Sequence, residues 1–99
     1  MSVALYELYE SNKMEVVPEG PELETALKWV ADNIVPRKTP MYDRTSYGIK
    51  HILQDDTGIY FTNGQFKYIM ERAGYEACNP NDINWSYRIS KKSPAFNRN

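Results

Sequence analysis

The chain has 99 residues, of which 41% are apolar and 25% charged, and its formal net charge is −1. This composition is that of an ordinary globular protein, and the length suits one hydrophobic core, so we expect a single domain over residues 1–99. The one cysteine, Cys78, excludes an intramolecular disulfide and a thiolate metal cluster. The first ten residues have no basic start and no long apolar run, so we expect neither a signal peptide nor a membrane span. These features together predict a cytoplasmic protein.

Charge is distributed unevenly along the chain. Residues 1–33 carry seven acidic side chains and two lysines, whereas residues 34–99 carry ten Lys or Arg and six acids. Such a chain can present a basic face in spite of an acidic isoelectric point. Alternatively, the two halves can simply attract each other within the fold.

The first clear element is an amphipathic helix at residues 21–35, after an N-terminal segment, residues 1–17, whose periodicity is ambiguous. Pro21 suits the first helical position, acidic residues fill the first turn, and apolar residues follow at helical spacing. Pro36 should end this helix. Residues 36–44 then read as a basic connector interrupted by prolines.

Two further helices are predicted from their end signals. Thr45-Ser46 can cap the second helix, which should stop at Gly58. Thr62 and Gln65 match a capping box, so the third helix should begin near Asn63. Tyr60, between these helices, is expected to pack against the core.

The last third changes to a period of two. Residues 75–78 can form a strand, residues 79–82 form a strong turn signal, and residues 85–90 alternate between apolar and polar side chains. We therefore predict an α+β fold of three helices followed by a C-terminal β-hairpin, which is a winged-helix-like order. Residues 91–99 are expected to be a basic, mobile tail.

Nothing in the chain has the spacing of a catalytic, metal or cofactor site. Cys78 and His51 have no third group that would orient them as a nucleophile and base. His51 and Asp55 are spaced as a surface ion pair, and two ligands do not close a metal coordination shell. No glycine-rich phosphate loop is present, so we expect a protein that is not an enzyme and holds no cofactor.

The outward helix faces and the C-terminal region combine basic and aromatic side chains, which can pair with phosphates and stack on bases. We therefore predict a binding surface for DNA or another partner. Its candidate residues are Tyr47, Lys50, His51, Gln54, Lys67, Tyr68, Arg72, Arg88, Lys91 and Lys92. Eight tyrosines and two tryptophans also suit protein interfaces. The acidic residues Glu19, Glu22 and Glu24 form an alternative surface that could imitate a phosphate backbone.

A pattern in the second half, S-Y-x-x-K-H followed by G-x-Y-x-x-N-G and a helix ending in G-Y, resembles a group of small uncharacterised accessory proteins of phages, plasmids and conjugative elements. The pattern falls on Ser46, Tyr47, Lys50, His51, Gly58, Tyr60, Asn63, Gly64, Gly74 and Tyr75. The resemblance implies a mobile-element origin and action in the host bacterial cytoplasm. It also implies two functions. One is a non-enzymatic module acting on DNA or a nucleic-acid-handling complex, and the other is an anti-CRISPR-type inhibitor of a host defence nuclease.

Overall fold

The computed structural model describes residues 12–98, so the first part of the ambiguous N-terminal segment, residues 1–11, and Asn99 lie outside the described residues. The described part is a mixed α+β structure with three α-helices and a two-stranded antiparallel sheet. In chain order the elements are α1 (Pro21–Asn33), β1 (Pro36–Met41), α2 (Ser46–Thr57), α3 (Asn63–Arg72), β2 (Tyr87–Ile89) and a 3₁₀ turn (Pro94–Phe96). Within residues 12–98, no helix has the length and apolar character needed to cross a membrane.

Helix α1 begins at Pro21 as predicted and ends at Asn33, two residues before the expected end. Its Trp29 is buried, and the indole Nε1–H donates a hydrogen bond to Asp56 Oδ2 at 2.6 Å. The Arg98 guanidinium also binds this carboxylate, and the bonds from Arg98 and Trp29 together lower the Asp56 pKa. The indole thus joins α1 to the last turn of α2.

The predicted ends of α2 and α3 are confirmed. Gly58 ends α2 with φ of 76°, a left-handed conformation that glycine adopts without steric cost. At the start of α3, Thr62 and Gln65 form the capping box, with bonds of 2.9 and 3.0 Å between each side chain and the other's backbone N–H. These local signals fix the helix boundaries independently of the remaining fold.

The sheet differs from the prediction of a C-terminal hairpin. Its first strand is Pro36–Met41, which the sequence indicated as a connector. This strand pairs directly with β2, although helices α2 and α3 lie between the two strands in the sequence. Prolines hide this strand because they interrupt the apolar alternation, yet an edge strand tolerates them. Residues 75–78, the expected partner, form no strand and supply the hydrogen bond from Cys78 N–H to Ser86 O at 2.9 Å.

Residues 91–98, expected to belong to a mobile tail, pack against the domain. Ser93 is fully buried, and its hydroxyl donates to Ser90 O at 2.7 Å and accepts the Val35 N–H at 2.9 Å. Ala95 in the 3₁₀ turn is buried as well. A small, non-periodic segment of this kind gives no sequence signal for burial, because its contacts are with residues far away along the chain.

The core lies between the three helices and the sheet. The apolar positions of the predicted helices and of residues 85–90 predict a core of Leu23, Leu27, Val30, Ile34, Ile49, Ile52, Leu53, Phe66, Ile69, Met70, Trp85 and Ile89. Nine of these twelve are buried, whereas Leu27, Ile52 and Trp85 are only partly covered. The buried apolar side chains of the helices and of β2 are Leu23, Ala26, Trp29, Val30, Ile49, Leu53, Phe66, Ile69, Met70, Tyr87 and Ile89.

A buried polar cluster fastens the helix starts to the rest of the domain. Ser46 Oγ donates to Asn63 Oδ1 at 2.8 Å and accepts the Trp85 N–H at 3.0 Å. The Asn63 amide in turn donates to Asn12 Oδ1 at 2.5 Å and to Asn84 Oδ1 at 2.9 Å. The first residues of α2 and α3 are therefore held to two segments that are distant in sequence.

Tyr87 provides a stability test, because its hydroxyl is buried without a hydrogen-bond partner among the described residues. Burial raises the pKa of this phenol well above its usual value. An unpaired buried hydroxyl costs about 1–3 kcal/mol of desolvation. We expect Tyr87→Phe to leave the free energy of unfolding unchanged or to raise it by about 1 kcal/mol in urea denaturation.

Tyr75→Phe is the matched control. The Tyr75 hydroxyl donates to Ile34 O at 3.4 Å, so its removal should lower the free energy of unfolding by up to about 1 kcal/mol. A larger loss for Tyr87→Phe than for Tyr75→Phe would mean that the Tyr87 hydroxyl is hydrogen-bonded.

Candidate functional site: a tyrosine–lysine surface on α2

The outward face of α2 carries a compact group of aromatic and basic side chains. Tyr47 and His51, one helical turn apart, have ring centroids 4.6 Å apart in an edge-to-face arrangement. Lys50 Nζ lies 5.1 Å from the centroid of the Tyr47 ring and 5.1 Å from that of Tyr60. We call Tyr47, Lys50, His51 and Tyr60 the tyrosine–lysine surface.

Tyr60 reaches this surface because α2 ends in a tight turn. The left-handed Gly58 redirects the chain after the helix, and the ring of Tyr60, two residues later, lies 5.1 Å from Lys50 Nζ. The expectation that Tyr60 packs against the core is wrong, since the residue is 62% exposed. The glycine stop signal was visible in the sequence, but the return of the chain over its own helix was not.

Lys50 is shielded by its aromatic neighbours and has no ion pair within residues 12–98. The residue is only 6% exposed, and burial lowers the pKa of its amine. Placement of an ammonium over two tyrosine rings offsets this desolvation through cation–π attraction. The outward orientation expected for Lys50 is therefore wrong, and Tyr47 and Tyr60 present the surface of the cluster.

His51 is exposed and packs on Tyr47 instead of forming the predicted ion pair with Asp55. Its ring extends the aromatic area along α2 toward solvent. The tyrosine–lysine surface thus offers flat ring faces and one shielded positive charge, and no carboxylate lies in ion-pair contact with that charge among the described residues.

Lys67 on α3 was also expected to point outward, but it is buried, with 3% of its surface exposed. Its ammonium donates to the backbone carbonyl of Asn12 at 2.5 Å and lies 4.6 Å from the Trp85 ring centroid. Burial lowers the pKa of this amine. The prediction of an exposed Lys67 is wrong, because helical spacing takes no account of residues that are distant in sequence. Asn12 and Trp85, which contact the Lys67 ammonium, are such residues.

Residues 12–19, which we call the N-terminal strap, cover the outer face of α3. Glu15 N–H donates to Gly64 O at 3.0 Å, and the Gln65 amide donates to the Glu15 carboxylate at 3.2 Å. At the other end of the helix, Arg72 forms an ion pair with Glu19 at 2.6 Å. The chain itself therefore engages part of the helix face expected to contact a partner: Lys67 is buried, whereas Arg72 is ion-paired but still exposed.

The remaining predicted site residues are dispersed. Gln54 and Tyr68 are half-buried, and Tyr68 accepts a hydrogen bond from Arg72 at 2.9 Å. Lys91 is exposed and paired with Asp43 at 2.9 Å. The other exposed members of the predicted sets, Arg88, Lys92, Glu22 and Glu24, have no ion-pair partner within the described part of the chain.

No group of three or more His, Cys, Asp or Glu side chains in residues 12–98 is arranged to hold a metal ion. Comparison with protein-family models, curated proteins and solved structures finds no match to this chain. The function of this chain is therefore inferred from the geometry of the tyrosine–lysine surface.

Replacement of Lys67 separates a structural from a binding role. Lys67→Ala removes both the charge-assisted hydrogen bond to the Asn12 carbonyl and the cation–π contact with Trp85, which should lower the free energy of unfolding by about 1–3 kcal/mol. The salt dependence of nucleic-acid binding should equal that of the wild type, because a covered lysine neutralises no phosphate.

Lys92→Ala is the control for the stability measurement, because this exposed side chain should change the unfolding free energy by less than about 0.5 kcal/mol. A reduced salt slope in Lys67→Ala with unchanged stability would show that Lys67 contacts phosphate and that the strap does not cover it.

Proposed function

We propose that this chain is a non-enzymatic binding module of a phage or mobile element that acts on nucleic acid through the tyrosine–lysine surface. One observation carries the proposal: two tyrosine rings that are 52% and 62% exposed lie 5.1 Å from the same buried ammonium, that of Lys50. Surfaces that bind single-stranded nucleic acid present aromatic rings on which bases stack, in a positively charged environment. Here the rings make the contact, and the covered Lys50 adds positive charge beneath them without neutralising a phosphate itself. Stacking contributes about 1–3 kcal/mol per base and tolerates any sequence.

The covered state of α3 favours single strands over duplex as the ligand. Reading of a duplex requires an element that enters a groove and presents side chains to base edges. Three polar side chains of α3, those of Gln65, Lys67 and Arg72, are bonded to the N-terminal strap. Exposed tyrosine rings on α2 can instead stack on bases that are not already stacked in a helix.

A winged-helix-like arrangement is part of the proposal. The order α1, β1, α2, α3, β2 supports it, as does the hydrogen bond between Cys78 and Ser86, which brings residues 75–78 alongside the chain that enters β2. In this arrangement α3 takes the position of the helix that reads a groove. Because the strap covers α3, contact with the ligand passes to α2.

Tyr47→Ala and Tyr60→Ala test this function. Each should weaken binding of a fluorescent oligothymidylate by about 5- to 150-fold in anisotropy titrations, which corresponds to about 1–3 kcal/mol of lost stacking. Tyr42→Ala is the matched control, since Tyr42 is 68% exposed and lies outside the tyrosine–lysine surface. It should bind like the wild type.

Two results would contradict the proposal. One is the absence of oligothymidylate binding by the wild type at low salt. The other is an equal loss of affinity in Tyr42→Ala, which would mean that general surface aromaticity, and not this cluster, accounts for binding.

The second candidate function is inhibition of a host defence nuclease, as an anti-CRISPR-type protein. It is favoured by Glu22 and Glu24, which are exposed in the first turn of α1 and form no ion pair within residues 12–98. Exposed tyrosines are also typical anchors of protein interfaces. Under this function the protein alone ignores nucleic acid and forms a stoichiometric complex with the nuclease.

Association and dissociation rates, measured with a nuclease isolated from host lysate by pull-down with this protein, would separate two modes of inhibition. If Glu22 and Glu24 imitate phosphates, Glu22→Gln with Glu24→Gln should slow association, because electrostatic steering acts on encounter. If Tyr47 is a buried anchor, Tyr47→Ala should speed dissociation. Salt-dependent binding of nucleic acid without any nuclease complex would eliminate this candidate.

A further inference from the structure

We infer that the groove between β1, β2 and the end of α3 is a phosphate-binding site built on Arg37 and Arg88. Both arginines line this groove, together with Gly74, Tyr75 and Glu76 from the turn that follows α3. The site is separate from the tyrosine–lysine surface and does not depend on the function proposed for that surface.

The two arginines lie on neighbouring strands next to the same ladder pair, at the point where the register of the sheet becomes irregular. Pro36 pairs with Ile89 in the antiparallel sheet, and Arg37 and Arg88 each lie one residue from that pair in the same direction along the strands. Like charges on neighbouring strands repel and destabilise the pairing. Neither arginine forms an ion pair within the described part of the chain. A bound anion would relieve this repulsion.

The Arg37 guanidinium is held in a fixed orientation. Its Nε–H donates to Thr39 O at 2.8 Å, and Nη2 donates to Pro40 O at 2.5 Å. These bonds use two of the five guanidinium donors and leave three for a ligand. A guanidinium fixed in this way loses little conformational entropy on binding, and its planar fork matches the oxygens of a phosphate.

The charge balance of the groove favours an anion. Glu76 lines the same groove and forms no ion pair with either arginine. The nearby C-terminus of α3 contributes roughly half a negative charge. Two guanidinium groups outweigh these contributions, so the groove keeps a net positive charge. Phosphate suits it better than a carboxylate because three oxygens can engage two guanidinium groups at once.

Arg88 is the residue to vary, because replacement of Arg37 would also remove its hydrogen bonds to the Thr39 and Pro40 carbonyls of β1. The experiment titrates ¹⁵N-labelled protein with inorganic phosphate at constant ionic strength and follows the arginine Nε–Hε signals and the Gly74 amide. We expect saturable shifts in the wild type. Arg88→Ala should weaken binding about tenfold or more, whereas Arg88→Lys, which keeps the charge but loses the fork, should lose less.

Lys92→Ala is the matched control and should bind phosphate like the wild type, since Lys92 does not line the groove. Tyr47→Ala should also bind phosphate normally, so failure of this site and failure of the tyrosine–lysine surface are distinguishable. Shifts that stay linear up to the highest phosphate concentration would overturn the inference. Equal affinity in the wild type and Arg88→Ala would overturn it as well.

A deoxyribose-phosphate oligomer without bases identifies the source of the phosphate. If the oligomer displaces inorganic phosphate from the wild type but not from Arg88→Ala, the site takes a nucleic-acid backbone. If inorganic phosphate saturates the site and the oligomer does not compete, the site takes a free phosphate group. Both outcomes support a phosphate site, and they differ in its ligand.

Discussion

The Asn63 side chain, which is 5% exposed, holds four segments of the domain together through its hydrogen bonds. Through Asn63 the start of α3 is bonded to the start of α2, to the N-terminal strap and to the chain that enters β2. A buried polar group that loses its partners costs more than one bond is worth, so these four segments must come together in one arrangement. Ser46, which shares this cluster, directly precedes Tyr47. The cluster therefore fixes the helix that carries the tyrosine–lysine surface and also holds the strap over α3.

The charge distribution along the chain has a partial explanation in the fold. The ion pair of Glu19 with Arg72 joins the acidic first third to the basic remainder, while the pairs of Lys91 with Asp43 and Arg98 with Asp56 lie within the remainder. Among the ion pairs of residues 12–98, Glu19 with Arg72 is therefore the one that joins the two halves. Six exposed or partly exposed cations of residues 12–98 form no ion pair, and four of them lie on or beside the sheet: Arg37, Lys38, Arg88 and Lys92. The other two are Lys13 on the N-terminal strap and Arg44 before α2. Most of the exposed positive charge without an ion pair therefore lies near the sheet, whereas the sequence predicted much of it on α2 and α3.

Features with local causes could be predicted from the sequence, and features with distant causes could not. The capping box at Thr62 and the glycine stop at Gly58 involve residues within one turn, so their signals are complete in the sequence. The pairing of β1 with β2 and the cover over Lys67 depend on segments dozens of residues apart, and no local pattern encodes them. The candidate site shows the same division. Tyr47 and His51 follow from the period of α2, whereas Tyr60 and the shielding of Lys50 follow from a chain reversal that only the structure reveals.

The most direct test of the account is an NMR titration of the ¹⁵N-labelled protein with a short oligothymidylate. Ligand contact with the exposed face of α2 and ligand contact with α3 would perturb different sets of backbone amides. If the tyrosine–lysine surface binds the ligand, the shifts will centre on Tyr47, Lys50, His51 and Tyr60, and Gly64 and Gln65 at the start of α3 will not change. Shifts centred on Gly64, Gln65 and Arg72 would mean that the strap opens and that α3 is the contact helix, which would contradict the proposed function.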